Sequence, residues 1–222
     1  MKSVFVIGVD TGVGKTTVSA GILKLLHGTC KVRYWKPIQT GTIVGDDTAT
    51  VIGVTQFEPD CYANPGYRFA EPVSPHVAAR KWGKTIDLEL LQKTFEQHVK
   101  DGYFVIVEGA GGLLAPLNDH ELQIDLVKRL GIPVLLVSED RVGAINQTLL
   151  TVKAAREAKI DVLGVILTRS RRTFGNAESI AHFGKVEVLA EIDPSEDIRN
   201  AIAQVGGDPK LRKLFGAGNL PH

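Results

Sequence analysis

Apolar, β-branched segments of strand length recur along the chain. They cover residues 3–9, 31–35, 103–107, 133–138, 162–167 and 186–192. Each is continuously apolar rather than alternating, which is typical of strands buried on both faces of a sheet. Between them lie segments whose apolar residues are spaced as in helices, including Val18, Ile22 and Leu25, then Leu88, Leu91 and Phe95, then Leu149, Val152 and Ala155. The alternation predicts an α/β fold in which helices flank a mostly parallel central sheet.

The alternation is interrupted at residues 56–75. This stretch contains Pro59, Pro65, Pro72 and Pro75 together with aromatic residues such as Tyr62, Tyr67 and Phe69. A loop of this length in a compact domain is usually a binding loop or a lid. The alternative is an irregular surface segment whose aromatic side chains cover the edge of the sheet. The sequence pattern leaves both interpretations open.

Composition narrows the classes of function. The chain has 222 residues, with 26 Lys and Arg against 25 Asp and Glu, so it lacks the strong positive charge that nucleic acids or anionic membranes attract. Its apolar runs are far shorter than the ~20 residues of a membrane-spanning helix, and we expect a cytoplasmic protein with one domain over residues 1–222. Cys30 and Cys61 show neither a CxxC spacing nor a nearby pair of histidines. The pattern therefore favours reduced, structural thiols over a zinc site.

A glycine-rich segment follows the first predicted strand directly. Residues 8–17 read GVDTGVGKTT and lead into a helical pattern. A turn of this kind directs backbone N–H groups and the positive end of the helix dipole at one point, where a triphosphate binds. Lys15 is placed to neutralise phosphate oxygens and Thr16 to ligate Mg²⁺, as in the Walker A motif of P-loop NTPases. Five residues rather than the usual four separate Gly8 from Gly14, but the strand–loop–helix context disfavours a chance glycine-rich turn.

Phosphoryl chemistry also requires acidic groups. Glu108 follows the apolar strand 103–107, so it should lie at the same carboxyl edge of the sheet as the phosphate loop. Asp46 and Asp47 follow the second predicted strand and precede a helical stretch. On spacing alone, this pair is interpreted equally well as functional or as an ordinary N-cap.

Five ordered segments resemble the dethiobiotin synthetase family. They are residues 8–16, KPIQTG at 36–41, EPVSPH at 71–76, EGAGG at 108–112 and GAIN at 143–146. The resemblance implies an ATP- and Mg²⁺-dependent ligase that closes a ureido ring. In such enzymes 7,8-diaminopelargonate, CO₂ and ATP give dethiobiotin, ADP and phosphate through a carbamate and a mixed anhydride with phosphate. It also implies a homodimer whose substrate site lies near the subunit interface.

The resemblance assigns roles to individual residues. Lys15, Lys36 and Thr11 are the expected catalytic residues, and Thr16, Asp47 and Glu108 the expected Mg²⁺ ligands. The diamine and its carbamate are expected at Thr40, Gly111, Gly112, Gly143 and Asn146. Nucleotide contacts are expected from Gly12, Val13, Gly14, Lys15, Thr16, Thr17, Asp47, Glu108, Gly109, Ala110, Gly111, Thr168, Arg169, Asp193, Pro194 and Ser195.

Two departures concern the nucleotide base. Thr168 stands where an Asn commonly reads adenine, and Asp193 interrupts the second base-contacting loop. The alternative function is that of a partitioning-type ATPase switch, which positions macromolecular partners. Such switches carry an additional lysine early in the phosphate loop, and none lies between Gly8 and Gly14.

Overall fold

A computed structural model describes residues 3–216. The strands in this range are β1 (Ser3–Gly8), β2 (Val32–Trp35), β3 (Ile38–Gln39), β4 (Tyr62–Ala63), β5 (Tyr67–Arg68), β6 (Phe104–Gly112), β7 (Val134–Glu139), β8 (Val162–Thr168) and β9 (Val188–Glu191). The α-helices are α1 (Lys15–Leu26), α2 (Asp47–Thr55), α3 (Pro75–Lys81), α4 (Leu88–Lys100), α5 (Gln123–Leu130), α6 (Ala144–Glu157), α7 (Asn176–Gly184), α8 (Ile198–Gly207) and α9 (Pro209–Phe215). A short 3₁₀ helix covers Pro59–Cys61.

The described strands form a central parallel sheet and a small second sheet. The central sheet has the order β4-β2-β6-β1-β7-β8-β9, and β3 pairs with β5 beside it. Every pairing between these strands is parallel, which confirms the predicted α/β fold. The carboxyl ends of β1, β2 and β6 therefore meet at one edge, where α/β proteins bind ligands. None of the helices within residues 3–216 combines the length and apolar composition that a bilayer crossing requires.

Both faces of the sheet are buried, which explains the continuous apolar runs. On β1, Val4 and Val6 belong to the core layer that contains apolar residues of α1 and α8. Phe5 and Ile7 point to the opposite layer, which contains apolar residues of α3, α4, α5 and α6. Because side chains alternate between faces and both faces are covered, no position of the strand favours a polar residue.

All six predicted strands are present, and β6 differs most from expectation. It was expected over 103–107 but continues to Gly112, because its far end still pairs with β1, where Gly8 lies opposite Gly112. Glu108 is thus a strand residue rather than the start of a loop. The predicted domain limits, residues 1 and 222, lie outside the described residues.

Residues 56–75 are more ordered than either interpretation assumed. They contain the 3₁₀ helix, the edge strand β4 paired with β2, and β5 paired with β3. The Tyr67 hydroxyl accepts a hydrogen bond from the backbone N–H of Asp87, and Phe69 is buried. The last four residues, 72–75, line the main cleft. The first part therefore covers the sheet edge, and the last part belongs to the cleft wall.

Alanine substitutions of two helical glycines, Gly21 on α1 and Gly53 on α2, test how closely α1 is packed. A Cβ atom at Gly21 would lie 2.4 Å from Cβ of Val205 on α8, whereas one at Gly53 on α2 would meet no atom within 4 Å. Overpacking typically costs about 1–3 kcal/mol, which outweighs the ~1 kcal/mol that alanine gains over glycine in a helix. We expect Gly21→Ala to lower the free energy of unfolding in urea and Gly53→Ala to raise it. Equal stabilisation by both substitutions would contradict the close approach of α1 and α8.

Candidate active site

A cleft of about 990 Å³ opens at the carboxyl edge of the sheet. One wall is the phosphate loop together with the start of α1, and a second is formed by residues 39–41 and 44–47. The rest of the lining includes residues 72–75, residues 110–115 and the side of α6 that faces them. Lys15, Lys36, Asp47 and Glu108 all lie at the bottom of this cleft.

The phosphate loop curls around the end of β1. Gly12 and Gly14 adopt φ angles of 75° and 94°, which glycine tolerates without strain. Lys15 folds back so that its Nζ donates to the backbone oxygen of Asp10 at 2.9 Å. Burial, with the nearby Lys36 ammonium, lowers the pKa of Lys15 to about 8. The loop thus holds a partly desolvated cation beside the positive end of α1, an arrangement that attracts anions.

A buried cluster joins β2, β6 and the two helices α1 and α2. Nζ of Lys36 lies 2.8 Å from Oε1 of Glu108 and 2.8 Å from Oδ2 of Asp47. The Thr16 hydroxyl lies 2.9 Å from Oδ1 of Asp47 and 3.0 Å from Oε1 of Glu108. The Tyr34 hydroxyl donates to the other Glu108 oxygen at 3.0 Å. Glu108 is 0% exposed and Lys36 is 4% exposed.

Lys36 and Asp47 keep their charges despite their burial. Burial disfavours the charged form of Lys36, but the Glu108 and Asp47 carboxylates outweigh it and raise the lysine's pKa. Burial likewise opposes ionisation of Asp47, yet the Lys36 ammonium holds the pKa of this carboxyl below its usual value. Burial and the Glu108 carboxylate raise the pKa of Tyr34 well above its usual value, so its hydroxyl stays a donor.

The oxygen atoms of Thr16, Asp47 and Glu108 suit a magnesium ion. Mg²⁺ prefers oxygen ligands in octahedral geometry, in which neighbouring ligand oxygens lie about 3.0 Å apart. The Thr16 hydroxyl oxygen lies 2.9 Å and 3.0 Å from one oxygen of each carboxylate. The donor set and its spacing therefore fit the ion that was expected from the sequence.

The two neighbouring aspartates separate into different environments. Asp46 is the N-cap of α2, where its side chain accepts from the backbone N–H of Ala49, and it also pairs with Arg68. Asp47 opens the helix and turns its carboxylate toward Lys36 and Thr16. Its backbone N–H donates to the side-chain oxygen of Gln39 at 3.2 Å, which fixes the helix start. Only Asp47 is thus placed for the chemistry of the cleft floor.

The residues expected near the nucleotide base do not line the described cleft. Thr168 is buried, and its hydroxyl donates to the backbone oxygen of Val13 at 2.7 Å. The Arg169 guanidinium donates to the backbone oxygen of Gly12 at 3.2 Å and pairs with Glu139. Both residues therefore contact the phosphate loop, and the Thr168 hydroxyl is already bonded rather than directed into the cleft.

The second expected base loop, residues 193–195, also lies outside the cleft lining. The Asp193 carboxylate faces Arg172, and its backbone N–H donates to the Gln204 side chain at 2.8 Å. The Ser195 hydroxyl donates to the backbone oxygen of Asp197. These contacts fix the segment that precedes α8. Ile198, the first residue of this helix, does line the cleft.

The residues expected to hold the substrate divide into two groups. Thr11, Thr40, Gly111 and Gly112 line the cleft. Gly143 and Asn146, at the start of α6, are exposed and lie outside the lining. Gln147, the next residue in the chain, does line the cleft, and its side-chain oxygen accepts a hydrogen bond from the Arg141 guanidinium at 2.9 Å.

Tyr34 and the side chain of Gln39 were missed as functional residues in the sequence. Tyr34 resembled an ordinary core residue of an apolar strand, yet it precedes Lys36 by two positions. Alternate residues of a strand share a face, so this spacing was a usable signal. The contact between Gln39 and the N–H of Asp47 depends on the turn between β3 and α2, which no local pattern indicated.

Comparisons with known proteins identify relatives of this chain. A family model described as an AAA domain matches residues 2–201. The ATP-dependent dethiobiotin synthetase BioD of Paramagnetospirillum magneticum is 39% identical over 87% of this chain and 89% of that protein. The protein of the same name from Caldicellulosiruptor saccharolyticus is 31% identical over 97% of this chain and 98% of that protein.

Solved structures are similar in fold alone. The MinC:MinD cell division protein complex of Aquifex aeolicus matches with a TM-score of 0.64 and 16% identity, over 97% of this chain and 96% of that chain. The Pyrococcus furiosus cell division ATPase MinD matches with a TM-score of 0.59 and 18% identity, over 96% of this chain and all of that chain. These likenesses describe the arrangement of strands and helices.

Replacing Tyr34 tests the support of Glu108. Tyr34→Phe removes a donor and leaves one buried carboxylate oxygen without its partner, which typically costs about 1–3 kcal/mol. We expect the free energy of unfolding in urea to fall by that amount. Tyr62→Phe is the matched control, because the Tyr62 hydroxyl bonds only the neutral Thr55 and Phe57 groups and should cost less. A Tyr34→Phe variant as stable as the parent would contradict the assigned support.

Proposed function

Because the chain belongs to the dethiobiotin synthetase family, we propose that it converts 7,8-diaminopelargonate, CO₂ and ATP into dethiobiotin, ADP and phosphate. It is an ATP-dependent ligase of biotin biosynthesis. The observation that carries the detailed proposal is the cluster of Lys36, Asp47, Glu108 and Thr16 beside the phosphate-loop lysine, Lys15. Two cations and an oxygen ligand set at the floor of one cleft suit transfer of a phosphoryl group.

The reaction needs three bond changes. One amine of the substrate attacks the carbon of CO₂, forms a C–N bond and loses a proton, which gives a carbamate. A carbamate oxygen then attacks the γ-phosphorus of ATP, and the bond from this phosphorus to the bridging oxygen of ADP breaks. The second amine attacks the carbamoyl carbon, forms the second C–N bond, loses a proton and expels phosphate, which closes the ring.

The protein's part is to position the reactants and to neutralise charge. Lys15 faces the γ-phosphate and Lys36 the side where the carbamate attacks, so both stabilise the charge that builds up during phosphoryl transfer. Thr11 and the backbone of Gly111 and Gly112 flank the carbamate. None of these roles is that of a strong general base, which fits the reaction, since the attacking amines and the carbamate are themselves nucleophiles.

Thr16, Asp47 and Glu108 would hold Mg²⁺, and their oxygen spacing supports this proposal. When bound, the ion supplies positive charge to the β- and γ-phosphate oxygens. Lys36 lies between the two carboxylates and pairs with both, so the three side chains hold one another in place. Phosphate contacts come from residues 12–17 and the backbone from 108 to 111.

The base of the nucleotide is proposed to bind beyond the phosphate loop, near Arg169 and residues 193–195. The contacts of Thr168 support a changed role for this residue: it holds the Val13 carbonyl and thereby the loop, instead of reading the base. Arg169, with its contacts to Gly12 and Glu139, adds positive charge on the same side.

We also propose that a second copy of the chain completes the substrate site. The start of α6 carries Gly143 and Asn146 on the outside of the cleft, where a helix N-terminus can bind a carboxylate. Apolar side chains next to it are exposed, Val142 by 89% and Leu150 by 59%. A homodimer that buries these residues would bring the α6 start of one copy to the substrate of the other.

An assay for ADP release tests the function. With 7,8-diaminopelargonate, bicarbonate, Mg²⁺ and ATP all present, we expect ADP and dethiobiotin in equal amounts. Omitting the diamine or the bicarbonate should abolish both products. ATP hydrolysis that proceeds without the diamine and responds to a macromolecular partner would instead support the partitioning-type switch.

Substitutions of the neighbouring Asp46 and Asp47 distinguish a metal ligand from a helix cap. Asp47→Asn removes a negative charge from the proposed Mg²⁺ site, and we expect kcat to fall by about 10²–10³. The melting temperature should fall little, because Glu108 still pairs with Lys36. Asp46→Asn is the control: asparagine caps helices as well as aspartate, so activity should stay within a few-fold. A larger loss for Asp46→Asn would move the metal role to Asp46.

The lowered pKa of Lys15 predicts the alkaline limb of the rate profile. In the free enzyme this lysine loses its charge as the pH rises through about 8. Its electrostatic attraction for the triphosphate is lost at the same time. We expect kcat/KM for ATP to decline above pH 8, since this parameter reports ionisations of the free enzyme. Lys15→Arg should lower the rate but remove the decline up to pH 10, because a guanidinium stays charged. A wild-type profile flat to pH 10 would contradict the assignment.

A further inference from the structure

A second group of ligand-type side chains lies away from the cleft. His27 directly follows α1, and Glu58 and Cys61 lie at the two ends of the 3₁₀ helix. One ligand atom of each residue lies within 4.8 Å of the other two. Nε2 of His27 faces both oxygens of Glu58, at 3.3 Å and 3.1 Å. Within the described residues this is the one group of three or more His, Cys, Asp and Glu side chains with that spacing.

The sequence around the group contains two half-motifs of equal spacing. His27 and Cys30 are separated by two residues, and so are Glu58 and Cys61. All four side chains line one small cavity of about 70 Å³. Ligand pairs separated by two to four residues are typical of structural zinc sites. The expectation of structural thiols considered a CxxC spacing and a nearby pair of histidines, and so it missed a pattern that mixes His, Glu and Cys.

The spacing of three of these residues is compatible with one metal ion. With bond lengths of 2.0–2.3 Å, neighbouring ligand atoms of zinc lie about 3.3–3.8 Å apart. Nε2 of His27 and Oε2 of Glu58 lie 3.1 Å apart, and the Cys61 sulfur lies within 4.8 Å of a ligand atom of each, while Cys30 lines the wall of the same cavity. The ring of His27 is stacked on Phe57 with centroids 3.7 Å apart, and the backbone N–H of Cys61 donates to Glu58 at 2.9 Å. These contacts hold two of the ligands before any metal binds.

Charge and ligand chemistry favour zinc over magnesium at this position. The Cys61 thiol would release its proton to solvent on metal binding, and the resulting thiolate and the Glu58 carboxylate would balance a divalent cation. Nitrogen and sulfur ligands select zinc-like metals. The nearby cations are engaged elsewhere: Lys31 donates to the backbone oxygen of Asp101, and Arg33 pairs with Asp60. They therefore do not fill the space between His27, Glu58 and Cys61.

We propose that His27, Glu58 and Cys61 bind one Zn²⁺, with Cys30 as the fourth ligand. The site connects the carboxyl end of α1 to the segment that leads into the edge strand β4. It lies at the end of α1 opposite to Lys15 and Thr16, outside the cleft. Because the unfolded chain cannot present the four ligands together, zinc binding stabilises the folded state.

Metal titration of the full chain tests the site. The protein is stripped with a chelator, kept reduced with a phosphine, and titrated with Zn²⁺ against a chromophoric competitor in excess Mg²⁺. We expect one Zn²⁺ per chain and a higher melting temperature with zinc. Co²⁺ should give a thiolate-to-metal absorption band, and this band should weaken in Cys30→Ser and vanish in Cys30→Ser/Cys61→Ser.

Variants distinguish this site from other metal-binding groups. His27→Gln and Cys61→Ser should each weaken Zn²⁺ binding more than about 100-fold, since even an indirect partner of a metal ligand is worth 10- to 100-fold. His27 is half-exposed, so its variant retains the fold in the absence of zinc. The controls are His182→Gln, an exposed histidine on α7, and Asp47→Asn in the cleft, which should bind Zn²⁺ like the parent. The proposal is overturned if the parent binds no stoichiometric Zn²⁺, if His27→Gln binds it as tightly, or if Asp47→Asn loses it.

Discussion

Glu108 is a carboxylate with no exposed surface, and three donors compensate for its burial. Tyr34 reaches it from β2, Lys36 from the residue directly after β2, and Thr16 from the first turn of α1. An uncompensated charge at such a position would cost about 3–5 kcal/mol. The ion pair therefore constrains the positions of β2, β6 and α1 relative to each other. Asp47 joins the same lysine and adds α2 to the group.

This constraint explains why the cleft floor is so well defined. Its charged groups lie on strands and on helix starts rather than on long loops, so their positions follow from the packing of the sheet. Two cations, Lys15 and Lys36, lie near each other in a poorly solvated place. The repulsion between the two ammonium groups contributes to the lowered pKa of Lys15. A triphosphate that binds between them is stabilised because its negative charge offsets this repulsion.

Much of this arrangement was predictable from the sequence. Apolar runs and the GVDTGVGKTT segment are local patterns, so they indicated the parallel sheet, the phosphate loop and the edge where Glu108 lies. Spacing alone did not distinguish Asp46 from Asp47, and only the family resemblance singled out Asp47, because the difference depends on which of the two residues turns toward Lys36. The bond from Thr168 to Val13 was hidden for the same reason: it joins positions 155 residues apart, and no spacing rule reaches so far. Tyr34 is an intermediate case, because its position two residues before Lys36 indicated that the two side chains share a face.

The methyl group of Thr168 also leaves little space beside the phosphate loop, since a Cβ atom placed on Gly14 would lie 3.0 Å from it. A larger side chain at position 168, such as an asparagine introduced to improve recognition of adenine, would press on Gly14 and lose the bond to Val13. The loop that binds phosphate and the residue at the end of β8 are therefore structurally coupled. A substitution made at one of them without regard to the other would disturb both.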